Sequence, residues 1–459
     1  MLAALALWVS SPKLDAILDV PELKGALYSA TVTDLDGKVL YERNADQRVM
    51  PASNMKLIAN SFALYALGKD YVPVTRFWKE KNRVVVDSSG DPGLTYQQLN
   101  DIKKTLNLTG KLPVYVRQSY RVGIPEGWEY DDLPNRYAAP VTSFSFDQAA
   151  FELWAERGKA FLLPESFGVK IAFDPKLKDG ASQYDPIRKR IRVGAKLPAK
   201  RTRLDTLALP NGDESAALVL GSRMYSTDKV PERVPNAVIV GKPLPELMKT
   251  CLVRSDNIMA ENLFLMAAAK EGDLGDHPYD KARERAFNFL TKVVGIEPQD
   301  LRIQDGSGLS RHNLVTARGI ANLLSWADKQ PTAELWKSCL VSPLNGTLKG
   351  RLKDVDFRGK TGTLDMVVSL SGYIRTKSGD ERIMSLLLNH FTSSSVKARE
   401  IVDNFAKTVY EGMDGTASAF PFNHESREAR PFESHLFTAG NWINRSDRNR
   451  GVARSGTNR

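Results

Sequence analysis

Apolar and polar positions recur with two different periods along this chain, and the changes of period mark its organisation. Ala26 to Val32 and Val39-Leu40-Tyr41 flank Asp36-Gly37, the pattern of a β-hairpin closed by a tight turn. Pro51-Ala52-Ser53 opens an apolar stretch from Met55 to Leu67 that stops at Gly68, which predicts a buried helix. Near the other end, Val367 to Thr376 and Arg382 to Asn389 read as strands around Lys377-Ser378-Gly379-Asp380. Val396 to Tyr410 then repeats with helical spacing. Hairpin and helix at the start, strands and helix at the finish, predict one α/β domain of antiparallel sheet and helices assembled from both ends of the chain.

Between these ends the texture changes. From about residue 69 to 240, short β-type runs such as Arg83-Val84-Val85-Val86, Val114-Tyr115-Val116 and Ile191-Arg192-Val193 are separated by Gly, Pro and Asp clusters. This predicts a large strand-rich insertion. Helical spacing returns over Leu247 to Ala269 and Tyr279 to Val294. No internal repeat of fixed period is present. Residues from about Gly415 onward are polar, Arg-rich and aperiodic, which predicts a disordered tail over 413–459.

Composition adds little. At 459 residues, with 42% hydrophobic and 26% charged side chains, the chain is long enough for two or three domains. The net charge of +10 permits anionic partners without choosing one. Cys251 and Cys339 cannot form a metal cluster and lack Cys-x-x-Cys spacing; two buried free thiols are expected, with a single disulfide as the alternative. Leu2 to Val9 followed by Ser10-Ser11-Pro12 reads as the remnant of a signal peptide over 1–11. It is far shorter than the about 20 residues that span a bilayer, and no other run predicts a transmembrane segment.

Chemistry enters through three short motifs in fixed order. Ser53-Asn54-Met55-Lys56 comes first, Ser255-Asp256-Asn257 follows, and Lys360-Thr361-Gly362-Thr363 closes the series. Each is weak alone; Ser-x-x-Lys also occurs at Ser10/Lys13 and Ser394/Lys397. Residues i and i+3 share a helix face, so Lys56 can reach the Ser53 hydroxyl. Serine needs a neighbouring base to become a nucleophile, and lysine serves when burial or another cation such as Lys360 depresses its pKa. Ser255 is placed to pass a proton to a leaving amine, and Asn257 to hold Lys56 and a substrate amide oxygen. Ser255 or Asp256 would also cap the helix that follows. An exposed strand at Lys360 would pair with a peptide, Gly362 would allow close approach, and the Thr363 amide would join that of Ser53 as an oxyanion hole. Lys360 and Thr361 suit a substrate carboxylate. A phosphate-binding loop is excluded, because its pattern needs glycine five residues before Gly359 and the chain has Asp354.

This set resembles that of penicillin-binding proteins and serine β-lactamases. With the insertion, it is similar to the low-molecular-mass D-alanyl-D-alanine carboxypeptidase/endopeptidase family, peptidase family S13, often called penicillin-binding protein 4. Ser89-Gly90-Asp91-Pro92, Asp131-Asp132-Leu133-Pro134 with Tyr137-Ala138-Ala139-Pro140, Asp305-Gly306-Ser307-Gly308-Leu309-Ser310, Gly346-Thr347-Leu348 and Ser369-Leu370-Ser371-Gly372-Tyr373 extend the likeness. The resemblance implies a penicilloyl-serine transferase fold: a discontinuous catalytic domain at 12–68 and 241–412, an insertion at 69–147 and 226–240, and a nested third domain at 148–225. It implies D-Ala-D-Ala carboxypeptidase and endopeptidase activity on peptidoglycan stem peptides, covalent binding of β-lactams, no cofactor or metal, and export to the periplasm or cell-wall space. Ser53 would be the nucleophile and Lys56 the base, with Ser255, Asn257, Lys360 and Thr361 assisting or binding. Asp132 and Tyr137 would contact the amine of a diaminopimelate side chain, with Asp131 as an adjacent competitor. Gly359 departs from the family, where a small residue such as alanine is commoner; an effect on local backbone freedom is expected.

Other chemistries fare worse. No Gly-x-Ser-x-Gly elbow accompanies the five histidines. The run Arg188-Lys189-Arg190, Arg192, Lys196, Lys200-Arg201, Arg203 lacks aromatic interleaving, so a solvated hairpin face is expected, contact with an anionic cell-wall polymer is the alternative, and nucleic acid is not expected. Asp131 and Asp132 are adjacent, and on a strand they would face opposite ways, unlike a glycosidase pair. A β-lactamase would need a carboxylate to activate its deacylating water, and no Glu-x-x-Leu-Asn-type segment supplies one. A non-catalytic cell-wall-binding protein would not need Ser53, Lys56, Asn257 and Lys360 together.

Overall fold

In the computed structural model, residues 8–164, 167–413 and 416–418 are described. Five antiparallel strands form the central sheet, in the order Asp356–Leu364, Val367–Arg375, Glu381–Asn389, Leu27–Asp34 and Val39–Arg43. The N-terminal hairpin thus joins the C-terminal strands through the Leu27–Asp34 and Glu381–Asn389 pair, as the pattern at the two ends predicts. Its turn is closed by Gly37 at φ +91 and by the Asp34 carboxylate, which accepts from the Lys38 amide at 2.9 Å.

Both faces of the sheet are covered, so its central strands read as unbroken apolar runs. Met384, Leu386 and Leu388 lie against one core with Phe405 and Val409 of the helix Ser395–Glu411; Ile383 and Leu387 face the other. That second core extends without a break from the helices Met55–Leu67 and Asn257–Ala269 into the inserted strands, through Phe62, Phe264, Phe77 and Val86. The helix Met55–Leu67 is mostly apolar and buried along its first nine residues, Met55 to Ala63, with Lys56 and Asn60 among them, as a helix threaded through a core must be.

The insertion builds four further sheets, one of them the two-stranded pair Arg121–Gly123 and Val141–Thr142. Another orders the strands Met224–Ser226, Val114–Gln118, Val84–Ser88, Val74–Lys79 and Ala237–Val240; the other two lie within residues 150–208. The run expected to be helical from Leu247 to Ala269 is broken. Helix Leu244–Arg254 ends at Ser255, which takes the left-handed conformation at φ 57, and Asp256 caps helix Asn257–Ala269 by accepting from the Met259 amide. A serine-aspartate pair competes for backbone hydrogen bonds and breaks a run that apolar periodicity alone would continue. Tyr279 to Val294 is helical, its last turn widened to a π-helix over Phe289–Val294.

Of the apolar N-terminal run, Met1 to Leu7 lie outside the described residues; Trp8–Ser10 pairs with Thr416–Ser418, and Pro12–Leu18 is a helix capped by Ser11. The tail expected to be disordered over 413–459 is instead strand at Thr416–Ser418; from Ala419 onward it lies outside the described residues. Cys251 and Cys339 are buried and unpaired. No helix is long and apolar enough to cross a membrane among the described residues.

Candidate active site

Ser53 sits in a tight 3-10 turn, Ala52–Asn54, that leads into helix Met55–Leu67. Ala52 is left-handed at φ 48, a conformation costly for a residue with a Cβ. The turn is clamped from outside: the Ser369 hydroxyl donates to the Pro51 carbonyl at 2.8 Å, and the Asn54 amide to the Ser371 hydroxyl at 3.3 Å. A Cβ on Gly308 would stand 1.8 Å from the Ala52 carbonyl oxygen, so only glycine lets the Asp305–Ser310 loop close over this turn.

Lys56 is wholly buried, and its Nζ donates to Ser53 Oγ at 2.9 Å, Asn257 Oδ1 at 2.7 Å and the Ser307 carbonyl at 2.7 Å. Burial holds its pKa below the ordinary lysine value; Cys251, Asp305, Glu261 and Asp256 pull it back upward. Lys360 is equally buried and donates to Ser255 Oγ at 2.9 Å and to the Thr361 carbonyl at 2.8 Å. Its pKa is driven well below the ordinary value by burial first and by the neighbouring Lys56 second. Two dry lysines therefore stand side by side, each holding a serine hydroxyl.

The Lys360 strand is an edge strand. Gly359 exchanges both backbone hydrogen bonds with Val341 on its outer side. Alternate residues of an antiparallel strand present their N–H and C=O the same way, so Thr361 and Thr363 face that same edge beyond Val341. Lys360 and Gly362 point instead toward the Ser53 turn, where a Cβ on Gly362 would lie 3.0 Å from the Ser53 nitrogen and 2.1 Å from Ser369 Oγ. Thr361 Oγ1 donates to Thr347 Oγ1 at 2.7 Å. Gly359 is more than a matter of backbone freedom: a Cβ there would meet the Ser371 carbonyl oxygen at 2.2 Å.

The insertion contributes the remaining wall. The Asn257 side-chain amide donates to the Tyr137 carbonyl at 3.0 Å, and Arg136 pairs with Asp256 at 2.8 Å. Asp132, in a 3-10 turn and not a strand, accepts from the Tyr137 hydroxyl at 2.8 Å; its neighbour Asp131 is exposed and does not line the cleft. Burial and the Asp132 carboxylate push the Tyr137 hydroxyl up to about 12. Ser53, Asp132, Tyr137, Ser255, Asn257 and Thr363 line one cleft of about 520 Å³. Lys56, Lys360, Thr361 and Gly362 lie beneath it. All ten residues singled out from the sequence thus gather at one place.

Sequence reasoning missed several members. Ser307 supplies the third acceptor of Lys56, Thr347 holds Thr361, Arg136 anchors Asp256, and Arg311 on the cleft rim pairs with Glu129 at 2.6 Å. Ser307 and Thr347 belong to motifs quoted above without a role, so position was the available signal and chemistry was not. A second concavity, about 610 Å³, lies beside Tyr130 and is lined by Arg188, Arg190 and Arg192. Arg188 pairs with Asp185 and Arg192 with Asp174, so the hairpin face neutralises part of its own charge.

The D-Ala-D-Ala carboxypeptidase 3 (S13) family matches residues 10–166 and 223–409. The D-alanyl-D-alanine carboxypeptidase of Actinomadura sp. (strain R39) is 26% identical over 434 residues, covering 80% of this chain and 78% of that protein. Penicillin binding protein 4 (dacB) from Haemophilus influenzae superposes with a TM-score of 0.69 at 22% identity, over 86% of this chain and 98% of that one. The same protein complexed with a β-lactam gives 0.66 at 20% identity, with the same coverage. The match runs through every segment that builds the two-lysine site, and this chain belongs to the D-Ala-D-Ala carboxypeptidase 3 (S13) family.

Proposed function

We propose that the protein is a serine-type D-Ala-D-Ala carboxypeptidase, and a DD-endopeptidase by the same acyl transfer, which cleaves peptidoglycan stem peptides and is acylated by penicillins at Ser53. The observation that carries this reading is the Lys56 Nζ, dry and 2.9 Å from Ser53 Oγ, beside a strand edge open at Thr361 and Thr363. A peptide ending in D-Ala-D-Ala pairs with that edge. Neutral Lys56 takes the Ser53 proton as Oγ attacks the penultimate carbonyl. The Ser53 and Thr363 amides receive the oxyanion. The C–N bond breaks, and the departing amine takes a proton through Ser255, which Lys360 polarises; water then hydrolyses the acyl-serine ester. In the endopeptidase reaction only the leaving amine changes.

Asn257 holds Lys56 with its oxygen; its amide, with one N–H on Tyr137, keeps a second for the substrate. Asp132, with Tyr137 beside it, is placed at the rim for an amine on the stem-peptide side chain. The sheets of the insertion support the division into a catalytic domain and two inserted ones. A peptidoglycan substrate supports export to the periplasm or cell-wall space. Incubation with labelled penicillin, followed by adduct mass over time and D-alanine release from a D-Ala-D-Ala peptide, tests the reading. A lasting adduct with D-alanine release is expected; no adduct overturns it, and rapid turnover of the adduct would mark a β-lactamase.

A further inference from the structure

The Asp305–Ser310 loop is held by two buried carboxylates that the mechanism above leaves unused. Glu261 lies one helical turn beyond Asn257 on the same face and is fully buried. Its Oε1 accepts from the Ser307 amide at 2.8 Å; its Oε2 accepts from the Gly306 amide at 2.9 Å and the Tyr279 hydroxyl at 2.6 Å. Asp305, also fully buried, accepts through Oδ1 from the Gly308 amide at 2.7 Å and Asn313 Nδ2 at 2.8 Å. Its Oδ2 accepts from the Ser310 amide at 2.7 Å and Trp128 Nε1 at 2.9 Å. The Leu309 amide is taken by the Ser307 hydroxyl at 3.2 Å. Every amide from Gly306 to Ser310 is thus engaged, and the Ser307 carbonyl is left to face Lys56.

One detail links a carboxylate to the lysine. The Ser307 carbonyl and the Gly308 N–H belong to the same peptide group. Lys56 donates to one end of that group while Asp305 accepts from the other. Hydrogen bonds in such a chain polarise one another, so the carboxylate makes the Ser307 oxygen a stronger acceptor for an ammonium at Lys56. We propose that Glu261 and Asp305 are positioning residues for Lys56, fixing the Ser307 carbonyl on its Nζ and supplying the negative charge that stabilises the ammonium formed when Lys56 takes the Ser53 proton.

The surrounding charges leave this role to them. Lys360, on the edge strand, is itself pushed down by burial and by Lys56, and as a lysine it offers no negative charge to an ammonium. Cys251, from helix Leu244–Arg254, is a thiol pushed up to about 11 by burial, and so is uncharged near neutrality. Asp256 is already bound to Arg136. Glu261 and Asp305 remain, and both pull Lys56 toward its protonated form; burial and the neighbouring Asp305 push Glu261 itself up to about 7, so its charge is complete only above neutrality.

The inference rests on Ser53 and Lys56 acting as nucleophile and base, and its test keeps the two apart. The rate of penicillin acylation is followed against pH in the full-length wild type, Glu261→Gln and Tyr279→Phe, with thermal melts alongside. Removing the Glu261 charge weakens Lys56 as a base, so the plateau falls and the acid limb moves to lower pH by about one unit. Tyr279→Phe keeps the carboxylate but removes a hydrogen bond that favours its ionised form; it moves the limb the same way by less and tests the inference even if Glu261→Gln fails to fold. A lowered plateau with an unmoved limb in the folded variants overturns the inference and leaves the carboxylates a scaffold. Failure of the wild type to be acylated at Ser53 overturns the nucleophile reading, and the inference falls with it.

Discussion

Ser53/Lys56 and Ser394/Lys397 share a spacing and a place at the start of a helix, yet they are built oppositely. Ser394 is extended, at φ −67 and ψ 150, and its hydroxyl accepts from the backbone amide of Lys397 at 3.3 Å. That is an ordinary N-cap, and the Lys397 side chain goes to solvent, within reach of Glu22 and Glu400. Ser53 follows a left-handed Ala52 inside a 3-10 turn, and its hydroxyl is bonded by the side-chain nitrogen of Lys56, not by its amide. An exposed lysine keeps its proton and offers no base near neutral pH; a dry one gives it up. The motif is the same in both places, and burial makes one of them chemistry.

The sharpest way to break this comparison is at the two serines. Ser53→Ala is expected to lower acylation by labelled penicillin by more than about 10³-fold, whereas Ser394→Ala leaves it unchanged and costs about 1 kcal/mol of stability in a denaturant melt. Labelling that survives Ser53→Ala would show that the two sites had been ranked wrongly.

The lysines come next. Lys56→Met keeps the bulk and removes the base, lowering the acylation rate about 10²- to 10⁴-fold. Lys397→Met leaves acylation unchanged and alters stability by less than about 0.5 kcal/mol.

A smaller effect separates burial from catalysis. The folded state holds Lys360 well below the ordinary lysine value of 10.5, mainly by burial, while the unfolded chain binds a proton up to that value. Folding therefore carries a penalty at neutral pH, which fades as the pH climbs toward 10.5. Lys360→Met is expected to melt higher than the wild type near neutrality by about 1 kcal/mol while acylating more slowly, and the gap in melting temperature should narrow at alkaline pH. A gap that does not change with pH would mean that burial is not what depresses this lysine.

The smallest change belongs to the rim. Asp132 is partly exposed, so Asp132→Asn should lower kcat/KM for a peptide with a free side-chain amine by no more than about fivefold. Acylation by penicillin, which lacks that amine, should hold. Equal losses on both substrates would place Asp132 in the support of Tyr137 and not in recognition.

Much of the fold was legible because its signals are local. The hairpin at Asp36-Gly37, the buried helix Met55–Leu67 and the paired runs Val367–Arg375 and Glu381–Asn389 each declare themselves within a dozen residues. The break at Ser255 was half visible: Asp256 caps the second helix, as the Ser255-Asp256 pair suggests, but helical spacing runs on across it and the left-handed residue that divides the run is a serine, not a glycine. The loop around Ser307 was visible as a pattern and mute as chemistry. Its contribution is a backbone carbonyl, which no side-chain motif records, and its two fasteners come from its own Asp305 and from Glu261 on a distant helix.

Taken alone, the sequence determined which residue types were present in which order: a serine three before a lysine, Ser-Asp-Asn, Lys-Thr-Gly, and the elements on which they ride. Covalent spacing and helix periodicity act within a few residues, so that much needs no partner from elsewhere. Only the tertiary structure decided that Lys56 and Lys360 lie dry beside each other, that Gly362 meets the Ser53 turn, and that Val341 leaves Thr361 and Thr363 on an open edge. Desolvation comes from atoms far away in the chain, and it turns a common spacing into a candidate base.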